Sequence, residues 1–349
     1  MSKAVSSQIS NDTVTASQLW FVAPRQVEIR ETQLPPLSAD TVLVQTQYSA
    51  ISAGSELLVY QGLLPDAMAL DSSLESLQQQ SNYPLQYGYA CVGKVIAVGE
   101  GVEASWIGRQ VFSFQPHASH FCAAPDQLIE VPADISARDA VFLPNMETAV
   151  NLVQDGQPLL GEQVVVLGQG IVGLLLTAIL SRFPLAELVA IETRPERQEL
   201  ARKLGADSVL EPDAAGPWQQ QSSPDGADLV FEVSGQPEAL NLAINLSGYT
   251  SRVVIGSWYG SKTAAVQLGG EAHRNRLQMI TSQVSTLAPK LSGRWDKQRR
   301  FELAWEMLRQ IKPEQLISHT EPLRNAGQLY ASLEKQQPGL VQAVFEYSI

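Results

Sequence analysis

The chain has 349 residues, enough for two domains, and its 44% hydrophobic and 17% charged residues fit a soluble globular enzyme. A net charge of -12 argues against nucleic acid or an anionic membrane as the main partner, since both require a basic face. The two cysteines, Cys91 and Cys122, exclude a disulfide framework of any size and a four-thiolate zinc site, and no run approaches ~20 uncharged apolar residues, so no membrane-spanning helix is expected.

Residues 1–17 are polar and lack the apolar core of a signal peptide. They read as a disordered leader, with the cytoplasm as the default location. From 18 to 145 the chain reads as short strands and turns. Residues 19–22, 26–30 and 41–48 are alternating or β-rich, and the pattern continues through 88–99 and 110–114. The stretch 63–83 is longer than a simple loop needs and is a candidate lid. A helical period sets in at 146–153.

The segment that follows is the most specific in the chain. Apolar residues 164–167 run into Gly168-Gln169-Gly170-Ile171-Val172-Gly173, an apolar helix follows, and a second apolar run at 188–191 stops at Glu192. Strand, G-x-G-x-x-G, helix, strand and acid form a dinucleotide-binding fingerprint. Gly168 allows the tight turn, Gly170 lets backbone approach a pyrophosphate, and Gly173 lets helix and strand pack closely. The pyrophosphate then meets the free N–H groups of a helix N-terminus. Glu192, followed by Thr193, accepts ribose hydroxyls and repels a 2′-phosphate, which favours NAD over NADP. Arg194 and Arg197 leave NADP open, because a guanidinium could meet a 2′-phosphate, a pyrophosphate or simply water.

A charged helix at 195–204 stops at Gly205. Residues 228–233 and 252–256 are buried-type strands separated by a helix starting near Pro237, and 277–284 can be the last strand of a doubly wound parallel sheet. Ser234-Gly235 and Ser257-Trp258 end two of these strands, where parallel sheets bind their ligands. Beyond 284 the alternation breaks down. Amphipathic helices at 298–311 and 325–335 and a strand at 340–345 suggest a return to the first domain.

Residues 48–56, 87–93, 145–149, 257–260 and 273–277 complete a pattern that resembles the medium-chain dehydrogenase/reductase superfamily of alcohol dehydrogenase type. Within it the chain is similar to a zinc-lacking subgroup related to the bacteriochlorophyllide dehydrogenases. The resemblance implies an α/β protein with a GroES-like β-rich catalytic domain at 18–145 and 287–349. It implies a Rossmann domain at 146–286 and a homodimer or homotetramer. Zinc members carry a Cys before the Gly-Ser turn and a His-Glu pair after the glycine that here is Gly88. This chain has Ser52-Ala53 and Tyr89-Ala90 instead, and its third ligand position falls near Pro144. Such residues cannot hold zinc, so no metal is expected.

The same alignment makes Ser55 and Tyr89 the candidate hydroxyls beside the reacting oxygen, with Glu56 orienting Ser55 or holding an arginine. A turn serine and an apolar tyrosine wall are the bland readings. Glu147 is a candidate for the substrate pocket, and the bland reading is a carboxylate that favours a helix start. His117, three residues before His120, is a pocket candidate because histidine is the residue type suited to proton exchange at physiological pH. His273 and Arg274, with Arg276, could meet an anionic group of the substrate or belong to a subunit interface. The reading is an NAD(P)-dependent oxidoreductase acting at a carbinol or carbonyl carbon of an activated, conjugated substrate. The alternatives are an NADPH-dependent C=C reductase of quinone or enoyl type, and a nucleotide-binding sensor or scaffold without turnover.

Overall fold

A computed structural model describes residues 14–65, 82–223 and 225–348. Most of the expected lid therefore lies outside the described residues. The chain opens with an antiparallel hairpin of β1 (Thr15–Ala23) and β2 (Gln26–Gln33), so residues 15–17 of the expected leader belong to a strand. β3 (Val42–Ala50) is followed by a helix, α1 (Ala53–Gln61). Then come β4 (Cys91–Val98), β5 (Gln110–Ser113), β6 (His120–Ala123) and β7 (Ile129–Glu130). Val42, Val44, Cys91, Val95 and Val111 bury one face of this sheet, as a period-two pattern requires.

A short α2 (Ala137–Ala140) and the longer α3 (Leu143–Gly156) lead to β8 (Gln163–Leu167), α4 (Ile171–Leu180), β9 (Glu187–Ile191), α5 (Pro195–Lys203) and β10 (Ser208–Leu210). α6 (Pro212–Ser222), β11 (Ala227–Glu232), α7 (Ala239–Leu246), β12 (Ser247–Ile255) and β13 (Gln278–Thr281) follow. Six of these strands make a parallel sheet in the order β10-β9-β8-β11-β12-β13. The chain runs outward from β8 to β10, then crosses back to β11, which creates a switch point between β8 and β11. Val164, Val165 and Val166 are fully buried, as befits a strand covered on both faces.

The chain then returns through α8 (Lys297–Ile311), β14 (Ile317–Pro322), α9 (Ala326–Glu334) and β15 (Gln342–Glu346). β15 pairs antiparallel with β3 and parallel with β14, so the seven-stranded sheet joins β3 through β7 with the last two strands of the described chain. The architecture is a GroES-like β-rich domain joined to a Rossmann-type doubly wound sheet. Among the described residues no helix is long and apolar enough to cross a membrane.

Candidate active site

At the switch point the glycine turn is built as the fingerprint demands. Gly168 has φ +92°, and a Cβ there would stand 2.5 Å from the Ser234 Cα. Glycine alone meets both demands. A Cβ on Gly173 would lie 2.0 Å from the Gly168 carbonyl oxygen, whereas one on Gly170 would meet nothing within 4 Å. Gly170 precedes α4, which Ile171 and Val172 open, and no side chain caps that helix start. Uncapped N–H groups beside open space fit the pyrophosphate of a dinucleotide.

Glu192 is nearly buried at the end of β9. One carboxyl oxygen accepts the Gln169 N–H at 2.8 Å; the other accepts from Thr193 N at 2.7 Å, Arg194 N at 3.1 Å and Thr193 Oγ1 at 3.2 Å. The first oxygen, Oε2, keeps a lone pair for a ribose hydroxyl. Arg197 stands 4.0 Å from it, and its buried Nε has no partner among the described residues. The Arg194 guanidinium is instead tied to the Gln336 carbonyl.

Ser234 and Gly235 follow β11. The Gly235 N–H donates to Ser257 Oγ at 2.9 Å, and Trp258 beside it is half-buried. Sequence reasoning missed Glu232, which is fully buried under this turn. The signal was present, because Glu232 ends an apolar strand just as Glu192 does.

On the facing domain the structure brings Ser55 and Tyr89 together, with Ser55 Oγ 2.7 Å from the Tyr89 hydroxyl. Ser55 lies in the first turn of α1 and Tyr89 just before β4, two segments joined because β3 pairs with β4. Glu56 does not orient Ser55. Successive helical side chains diverge by ~100°, so Ser55 meets Tyr89 while Glu56 points into the barrel core. There its carboxyl accepts from Ser52 N at 2.7 Å and from the Tyr330 hydroxyl, with His117 Nε2 3.0 Å away. Ser49 Oγ then links His117 Nδ1, at 2.7 Å, to the Tyr347 hydroxyl, at 2.9 Å. His117 is therefore a fully buried core group and not a pocket wall. Gly88 makes room for it, since a Cβ at this φ of +120° would sit 2.8 Å from the imidazole.

Glu147 also turns away from a pocket. Its Oε1 accepts from Arg300 Nε and Lys297 Nζ, both at 2.9 Å, which fastens α3 to α8. Arg300 is fully buried and donates further to Asn151 Oδ1 at 2.6 Å. His273 and Arg274 are exposed before β13, and half-buried His120 has its pKa lowered by burial. Burial pushes the Cys91 thiol up to about 12, which removes it as a nucleophile near neutral pH.

Residues 172–299 match the family described as zinc-binding dehydrogenase. Over 341 residues the chain is 24% identical to D-guloside 3-dehydrogenase of Escherichia coli K12, covering 92% of this chain and 97% of that protein. An alcohol dehydrogenase from E. coli CFT073 solved with NADH has the same fold, with a TM-score of 0.77, 20% identity and 95% and 99% of the two chains covered. A Sinorhizobium meliloti 1021 protein solved with NADP gives a TM-score of 0.75 at 16% identity, covering 96% and 100%. The chain is thus similar along most of its length to medium-chain, alcohol dehydrogenase-like proteins. It is an NAD(P)-dependent dehydrogenase or reductase; the named relatives are dehydrogenases, and two structures of the same fold hold NADH or NADP.

The family description names zinc, which takes thiolate, imidazole or carboxylate. This dehydrogenase offers Ala53, the Tyr89 hydroxyl, Ala90 and, beside Pro144, the amide of Asn145. The nearby Glu56 and His117 are committed to each other and to Tyr330 and Ser49. Among the described residues no three His, Cys, Asp or Glu side chains gather as a metal site. The donor set does not fit zinc.

Proposed function

We infer that this protein is a zinc-independent, NAD-preferring dehydrogenase. It moves a hydride between the nicotinamide and a carbinol or carbonyl carbon, in the cleft between a catalytic domain (18–145 and 287–349) and a nucleotide domain (146–286). The observation that carries the reading is the 2.7 Å contact of Ser55 and Tyr89 where related enzymes hold their metal. Gly168, Gly170, Gly173 and the start of α4 would hold the pyrophosphate, and Glu192 Oε2 the adenosine ribose. Ser234, Gly235, Ser257 and Trp258 would flank the nicotinamide half. The bound dinucleotide supplies the hydride acceptor or donor.

Ser55 Oγ takes the carbinol proton as the C–H bond gives up its hydride. Ser55 passes its own proton to the Tyr89 oxygen, and the phenolic proton leaves to water. In the reverse direction the same hydroxyls deliver a proton to the carbonyl oxygen. Two neutral hydroxyls stabilise a developing alkoxide less than a metal does. A Lewis acid contributes several kcal/mol, and one well-placed hydrogen-bond donor about 3 kcal/mol. The difference favours a substrate whose carbonyl is conjugated. The D-guloside relative adds that the carbinol is secondary.

The test is a fluorescence titration of metal-analysed protein with NADH and NADPH, followed by a screen of conjugated secondary alcohols with and without chelator. Tight NADH binding and chelator-insensitive turnover by zinc-free protein are expected. Stoichiometric zinc whose removal abolishes turnover would overturn the metal-free reading, and a preference for NADPH would overturn the role of Glu192. The protein is further proposed to be a homodimer joined at the β13 edge of the nucleotide sheet.

A further inference from the structure

Glu232 takes no part in the hydride and proton chemistry above, yet it is an acid with no exposed surface at the heart of the switch point. Burying an acid is costly unless hydrogen bonds satisfy it, and here each oxygen has a separate task. Oε1 accepts the Ser234 N–H at 2.8 Å together with the Ser234 hydroxyl, and Oε2 accepts the Tyr259 hydroxyl. Burial, and then Glu232, push the Tyr259 phenol far above its usual range, so it remains a donor. The acid thus ties the end of β11 to the loop at 257–262 that follows β12.

That loop grips Gly235 from both sides. The Gly235 N–H donates to Ser257 Oγ at 2.9 Å, and its carbonyl accepts from Lys262 Nζ at 2.9 Å. Gly235 has φ +72° and would point a Cβ into open space, so the turn presents bare backbone to a ligand. The loop also crosses to the other domain. Ser261 N donates to the Leu63 carbonyl at 2.9 Å, and a Cβ on Gly260, at φ +61°, would stand 2.3 Å from that oxygen and 3.2 Å from Leu58 of α1. α1 is the helix that carries Ser55.

We propose that Glu232 and Tyr259 are positioning residues that lock the 257–262 loop onto the 234–235 turn, and so hold the surface receiving the nicotinamide half of the dinucleotide in register with α1. The proposal rests on the dinucleotide-binding reading and deepens it. Strand packing alone asks for no acid at 232, whereas joining two strand ends through two oxygens does.

The experiment compares Glu232→Gln and Tyr259→Phe with the wild type, measuring NADH binding by fluorescence and ADP-ribose binding by calorimetry. Removing one donor or acceptor of this bridge is expected to weaken NADH about tenfold in each variant. ADP-ribose lacks the nicotinamide and should change by less than about twofold. Tyr259→Phe keeps the ring and serves as the test where Glu232→Gln folds poorly. Parallel losses for both ligands would assign the pair a merely structural role, and unchanged NADH binding in the two variants would overturn the proposal outright. Wild-type protein that binds neither ligand would overturn the dinucleotide reading itself; wild-type binding of ADP-ribose with no NADH-specific loss defeats only the positioning role.

Discussion

The hydroxyls of Ser55 and Tyr89 lie 2.7 Å apart, and in the proposed relay they act as one unit. Ser55→Ala and Tyr89→Phe are each expected to lower kcat/KM by roughly 100-fold, the scale of a lost proton-transfer or oxyanion group. NADH affinity should stay within about twofold. Since a relay is broken by losing either member, the double variant should be little slower than the singles; additive losses in steady-state kinetics would show that the two act separately. That the two side chains meet was legible because they stand at motif positions of the superfamily pattern. The destinies of Glu56 and His117 were not. Which way a side chain leaves α1 depends on where that helix starts, and two of the partners of Glu56, His117 and Tyr330, lie far along the chain. Glu147 went astray for a related reason, since its partner Arg300 lies 153 residues away.

At the scale of elements, the βαβ unit from β8 to β9 was readable because its apolar runs, glycines and acid have one physical solution. The two glycines beside the expected pyrophosphate allow a sharp contrast. Gly173→Ala puts a methyl 2.0 Å from the Gly168 carbonyl oxygen, and neither backbone can yield. It should lower the melting temperature by several degrees and abolish NADH binding, at the ~1–3 kcal/mol typical of overpacking. Gly170→Ala meets no neighbour, so it should leave the melting temperature unchanged and weaken NADH by crowding the ligand. Calorimetry and fluorescence titration separate the two; a destabilised Gly170→Ala would mean that this glycine serves the fold. Other elements gave weaker signals. α6 contains Gly216 and Pro217, which read as breakers, although Pro217 sits inside the helix. β10 spans 3 residues and has little pattern to show. α1 has an Ala-Gly-Ser start that reads as a turn, and it is held as a helix partly by Glu56 reaching back to the Ser52 N–H.

For the whole molecule, β13 is an edge of the nucleotide sheet with no further strand paired to it among the described residues, and Met279 on it is 37% exposed. An unpaired edge with apolar side chains is a surface for strand pairing. Light scattering on a sizing column should find a homodimer, and Met279→Lys should shift it toward monomer by placing two like charges at a twofold seam. A wild-type monomer at micromolar concentration would remove this assembly. The sheet that joins β3 through β7 with β14 and β15 also has a consequence for how the protein is made. The nucleotide sheet is contiguous between residues 163 and 281 and has all its strands once that stretch clears the ribosome. The β-rich domain, although it begins first, cannot close its core early. Glu56 waits for Tyr330, 274 residues later. At ordinary elongation rates the wait is roughly 14–55 s. During that time a helix bearing Ser55 and an acid still lacking its Tyr330 partner is exposed to chaperones and proteases. The second domain to begin in space is thus the first to be finished in time.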